Sequence, residues 1–345
     1  MVLLFCSVTI FAQQPSSDYF PQTTEDFSEQ SEQLQELLNI TPFEVLQQGW
    51  ESISKMTTSP FKIFCNIAVF LLFAAVVSTP TDTGEKPFLP VIEMICFLVC
   101  AVLCVAPIQQ TIEQVTQQII YCKGALIGFV PVFSSMLIGG GQPASAAIFS
   151  GFFMSTALLL MEIAVGIVLP LIQILMAFHT ASGACGIGMV SAAAQFVQKV
   201  IKWSLGLITT VFCTFLGLQN FVAGASDSLA MKTGKFLISS SIPIVGQAVS
   251  GTISAVSAGI KVAKGTAGIG LLAVLGGYFL PVLIKIVLYW MCFSVAASIA
   301  KGLEQKRCEK LLRASAECVS LCGLTLLFYG LPIALSVVWM MTSGG

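Results

Sequence analysis

Charge is what this chain has least of. Asp, Glu, Lys and Arg make up 10% of its 345 residues, against roughly 25% in soluble domains. With 56% of the residues hydrophobic, so few charges cannot cover a water-soluble fold, and the class moves to integral membrane. Histidine is nearly absent: His179 stands alone. One histidine rules out the two-histidine zinc motif, and no Ser–His–Asp set or zinc spacing can be assembled around it. A phosphate loop is lacking too, because Gly234-Lys235 is followed by Phe236 and Leu229 stands where the first glycine is required. Gly265, Gly268 and Gly270 open an apolar helix rather than following a strand, so they are no dinucleotide fingerprint. No catalytic, cofactor-binding or metal-ligating residue is assigned, and an enzyme is not expected.

What the chain does have is long apolar runs. Residues 203–224 carry no charged side chain in 22 positions, enough to cross about 30 Å of hydrocarbon at ~1.5 Å per residue. Further spans are expected at 63–79, 88–108, 119–138, 147–178, 236–260, 268–300 and 314–341, giving about seven to eight crossings. The runs at 147–178 and 268–300 exceed the core thickness, and Pro131, Pro170 and Pro281 are expected kinks. Residues 236–260 hold Ser239, Ser240, Ser241, Pro243 and Gly246, which suits a re-entrant segment as well as a span. The glycine-rich stretch 180–194 is expected to be a flexible or close-packed connector. The fold class is therefore all-α: a polytopic helical bundle, with a small acidic helical head.

Three parts follow from the charge pattern. Residues 1–12 resemble the apolar core and small-residue end of a signal peptide, without its basic start. Residues 13–61 form the head, whose eight acids against one base give −7. Nucleic acid is excluded as a partner for it, because phosphates would be repelled. Thr41-Pro42-Phe43-Glu44 has the form of a capping box, and Leu46, Trp50 and Ile53 follow at helical spacing. Residues 62–345 are the membrane domain. Its stretch 301–313 carries Lys301, Lys306, Arg307, Lys310 and Arg313 against Glu304 and Glu309, which places that loop in the cytoplasm and the head outside.

Twelve cysteines read as small packing residues rather than as ligands, with Cys96, Cys100 and Cys104 on one helix face. Lys123, Glu162 and Lys285 lie inside apolar runs, where an ionisable group is costly and is a functional candidate. A Glu162–Lys285 or Glu162–Lys123 pair would suit proton or ion movement; a structural ion pair or a snorkelling lysine are the plainer alternatives. Gly251, Ala255 and Gly259 recur every four residues, which lets two helix backbones approach, within one subunit or between subunits. Pro243 and Gly246 precede this face and complete the set of interface candidates.

Around this segment the chain resembles the stage III sporulation protein AE family of endospore-forming bacteria. The likeness runs over roughly 203–300. It rests on Gly217-Leu-Gln219, Ala223-Gly-Ala-Ser-Asp227, Lys232-Thr-Gly-Lys235 and, above all, Ile242-Pro243-Ile-Val-Gly246 with the small-residue helix after it. The resemblance implies a mother-cell membrane protein around the forespore, with its head in the intermembrane space. It also implies partners: the other stage III complex proteins, including a secretion-type ATPase and ring-forming subunits. The complex links mother cell and forespore and supports late forespore gene expression, and this chain would be its platform or channel component. The bilayer is a further partner, and self-association is open. The competing expectation is a secondary transporter or permease using Glu162 and Lys285.

Overall fold

Helices carry almost all of the described chain, which in this computed structural model comprises residues 60–76, 89–185, 188–241 and 246–342. No strand occurs among the described residues. We number the helices α1 (Pro60–Val76), α2 (Leu89–Gly139), α3 (Pro143–Cys185), α4 (Gly188–Ser241), α5 (Gly246–Gly302) and α6 (Lys306–Thr342). α2 to α6 are each long and apolar enough to cross a membrane, and α1 is a shorter apolar helix. The expected helical membrane bundle is what the chain folds into. Residues 1–59, with the leader and head expectations, lie outside the described residues.

Length is the surprise. α2 has 51 residues, about 77 Å at ~1.5 Å per residue, far more than one hydrocarbon core. The expected segments 88–108 and 119–138 are two ends of this one helix, with no break between them. The intervening stretch looked like a loop because it is polar. Yet Gln109, Gln110, Glu113, Gln114, Gln117 and Gln118 are straight-chain residues with good helix propensity. Its threonines are turned inward on the helix itself: Thr111 donates to the Pro107 carbonyl at 2.8 Å and Thr116 to that of Ile112 at 2.9 Å. In the same way residues 203–224 are the middle of α4. The connector expected at 180–194 is mostly helix, close-packed at Gly183, where a Cβ would come within 2.5 Å of the Phe97 ring.

Two tight turns join four of the helices, and both are built alike. After α2, Gln142 N–H bonds back to the Leu137 carbonyl and Gly141 N–H to that of Ile138. This crossed pair is a Schellman motif, and its left-handed position is filled by Gly141 at φ 76°. After α5 the pattern repeats, with Gln305 N–H to Ala300 and Glu304 N–H to Lys301. Here the left-handed residue is Glu304, at φ 60°, which costs about 1–2 kcal/mol relative to glycine. Short turns of this kind make antiparallel neighbours.

α3 is interrupted by two π-helical stretches, Ile148–Phe153 and Glu162–Val168. The second ends just before Pro170, whose missing N–H already breaks the regular ladder. α6 is the central helix: 61% of its most apolar stretch is buried inside the molecule, against 18% for α4. Its Tyr329 and the α5 residues Tyr289 and Phe293 are among the largest fully buried side chains. Cys100, Cys104, Cys122, Cys308, Cys318 and Cys322 are buried in the same core as free thiols, the packing role expected of them.

Candidate functional site: a buried polar node at the α2–α3 turn

A helix start leaves backbone N–H groups without partners, and the start of α3 shows where each one goes. Gln142 is the N-cap residue, and its own N–H is used by the Schellman turn. Pro143 occupies the first helical position and has no N–H to satisfy. The next two, Ala144 and Ser145, donate to the two carboxylate oxygens of Asp227 on α4, each at 2.9 Å. Gln142 makes no side-chain cap of its own, so the cap comes from a helix more than 80 residues away. Asp227 is 3% exposed. Its negative charge sits at the positive end of α3, where charge and dipole agree.

A fourth helix closes the node. Lys264 of α5 is 2% exposed, and its ammonium lies 3.5 Å from the side-chain oxygen of Gln142. One turn earlier on α5, Ile260 packs against Gly139 and Gly140, where a Cβ would meet its methyl groups at 3.4 and 3.2 Å. A buried anion and a buried cation therefore surround one turn, holding the end of α2 and the start of α3 to α4 and α5. The arrangement anchors helices. It presents no nucleophile–base pair, and among the described residues no three metal-ligating side chains converge.

The candidates expected from sequence are dispersed. Glu162 is exposed at the start of the second π-helical stretch. Lys285 is 7% exposed, with its ammonium 5.8 Å from the centre of the Tyr289 ring. Lys123 is half-buried, well inside α2 rather than near a helix end. Among the described residues neither lysine pairs with Glu162, so the expected Glu162–Lys285 and Glu162–Lys123 pairs are not formed. Gly259 is exposed and a Cβ there would meet nothing within 4 Å; close packing within the chain occurs at Gly139 and Gly140 instead. Gly251 and Ala255 belong to the helical backbone of α5, Gly246 begins it, and Pro243 lies outside the described residues. His179 is half-buried on α3.

Asp227 and Lys264 were missed as functional residues. The signal was present: Gly139-Gly-Gly-Gln-Pro143 is a helix stop followed at once by a start without a Ser, Thr, Asp or Asn cap. An uncapped start needs an acceptor from elsewhere, and Asp227 is the one acid in α4.

Comparison with known proteins gives the family of the chain. The family model for stage III sporulation protein AE matches residues 26–344. A similar relative, stage III sporulation protein AE of Bacillus subtilis (strain 168), is 25% identical over 244 residues, covering 70% of this chain and 58% of that protein. The chain thus aligns with a little over half the length of that relative. No solved structure matches. Asp227 falls in one of the segments that carried the resemblance, and the family match covers all six helices. The chain belongs to the stage III sporulation protein AE family.

Proposed function

We infer that this chain is a membrane platform or channel subunit of the sporulation complex that links mother cell and forespore, needed there for late forespore gene expression. The observation that carries the reading is where the buried charges go. Asp227 caps a helix, and Lys264 and Lys285 sit against a glutamine oxygen and a tyrosine ring. Asp227 and Lys264 tie separate helices together, as an assembly component requires, while Lys285 and Tyr289 lie one turn apart on α5. The family is one of sporulation proteins.

Orientation supports a head in the intermembrane space. Cys65 of α1 neighbours Cys292, and the Leu71 carbonyl accepts from Gln305 at 3.4 Å, so α1 runs alongside α5 towards the basic turn. Its N-terminal end, where residues 13–59 attach, points to the other side. The four long helices α2–α5 and the shorter α1 precede the basic turn, and with α1 taken as a crossing their number is odd, as the expected seven is. The cytoplasmic placement of Lys301–Arg313 and an external head are therefore compatible.

The test is affinity isolation of the tagged chain from detergent-solubilised membranes of sporulating cells. Co-isolation of the complex's secretion-type ATPase and ring-forming proteins is expected. A chain recovered alone from membranes in which those proteins are present would reject the reading.

A further inference from the structure

Five cations crowd the turn between α5 and α6. Lys301 lies in the last turn of α5, and Lys306, Arg307, Lys310 and Arg313 open α6, all of them exposed. Lys306, Lys310 and Arg313 share one helix face, a stripe about 10 Å long at ~1.5 Å per residue. Arg313 is matched by Glu309 at 3.1 Å, and among the described residues no carboxylate pairs with the other four.

The height of this turn against the bilayer is set from two sides. The Leu71 carbonyl of α1 accepts from Gln305, so the exposed Leu72 and Phe73 beside it stand level with the turn. On α5, Val287, Met291 and Val295 form an exposed apolar row that ends about 9 Å before Lys301. A turn standing free in the cytoplasm would hold Leu72 and Phe73 in water. A turn inside hydrocarbon would strand four unmatched cations. Headgroup depth satisfies both, because the apolar side chains meet acyl chains while lysine and arginine stems extend to the phosphates.

Charge then selects the lipid. A zwitterionic headgroup offers each cation a phosphate and a competing ammonium, whereas an anionic headgroup lacks the uncompensated repulsion. We propose that this turn is a binding surface for anionic phospholipid headgroups, contacted by Lys301, Lys306, Arg307 and Lys310. The proposal rests on reading the chain as a membrane subunit with this turn in the cytoplasm. It fails separately from that reading, because the companion proteins can co-isolate whatever lipid meets the turn.

The experiment holds the purified full chain in phosphatidylcholine vesicles with a trace of photoactivatable phosphatidylglycerol or phosphatidylcholine, and maps the label by peptide mass spectrometry. Labelling across residues 301–313 should favour phosphatidylglycerol by about fivefold or more, the scale of one cation at an anionic surface. Raised salt, which needs no variant, should reduce that preference. Lys301→Gln, Lys306→Gln, Arg307→Gln and Lys310→Gln together should bring the ratio to about one. Lys306→Arg with Lys310→Arg should keep it, and so should Lys199→Gln with Lys202→Gln on α4. Equal labelling by the two lipids would overturn the proposal and leave the cations to an acidic protein surface. A preference unmoved by salt or by the glutamine changes would overturn it too. So would inorganic phosphate displacing the lipid more than chloride does at equal ionic strength.

Discussion

Replacing Asp227 with alanine should be among the most damaging single changes in the membrane body. The backbone N–H groups of half-buried Ala144 and buried Ser145 lose their carboxylate acceptors, each at 2.9 Å. A buried N–H left without a partner costs about 1–3 kcal/mol, and truncating an N-cap costs about 0.5–2 kcal/mol. Because the node sits at a helix end, water can reach part of it after truncation, so we place the total at about 2–4 kcal/mol. At 3% exposure, solvent screening of the native contact is small. Asp227→Asn keeps one acceptor oxygen and should lose about half as much. For a chain of 345 residues, a melting temperature of detergent-purified protein lower by about 3–6 °C follows. Hydrogen exchange across residues 139–150 should quicken by about tenfold or more as the turn opens locally. Ser228→Ala is the control, since its exposed hydroxyl bonds only to the Ala225 carbonyl at 3.0 Å; it should lie within about 0.5 kcal/mol of wild type. If Asp227→Ala melts within about 1 °C of wild type and exchange in the turn is unchanged, the node does not hold the helices.

Other positions give independent expectations. Glu304→Gly relieves a left-handed residue and should raise the melting temperature, by up to about 1 kcal/mol in stability; a lower melting temperature would contradict the Schellman assignment. Gly141→Val should destabilise by about 1–2 kcal/mol or more, since φ is 76° there. At Gly330 a Cβ would come 2.7 Å from the Phe279 ring, so Gly330→Ala should cost about 1–3 kcal/mol by overpacking α5 against α6. Gly259→Leu meets open space and should leave the melting temperature of the isolated chain unchanged. Reduced complex formation in that variant would assign the small face to contacts between subunits.

Much of the fold was legible because apolar runs and Gly/Pro punctuation are local signals. The helices around 203–224 and 268–300, and the end of an apolar run at residue 138, come directly from them. Polarity alone misled at Gln109–Gln118, because in a helix longer than the bilayer a polar stretch interrupts hydrophobicity without interrupting hydrogen bonding. The site was less legible for a different reason. Asp227 acts on amides more than 80 residues away, a pairing that no local pattern encodes. Glu162 and Lys285 could be picked out as costly charges, but whether they met depended on helix rotation. Glu162 turned outward and Lys285 turned onto Tyr289. Likewise the four-residue repeat ending at Gly259 reads as a close-packing face, and no local pattern says which chain would supply the other side.

The central claim is that the chain serves sporulation as architecture, with no transported ion or proton handled by its intramembrane charges. Spore yield from a Glu162→Gln/Lys285→Met double variant tests this most directly, measured in its spore-forming host at matched protein level and with companion proteins still co-isolating. The account predicts a yield equal to wild type. Loss of spores from a variant that accumulates and assembles normally would contradict it and return the chain to the class of transporters.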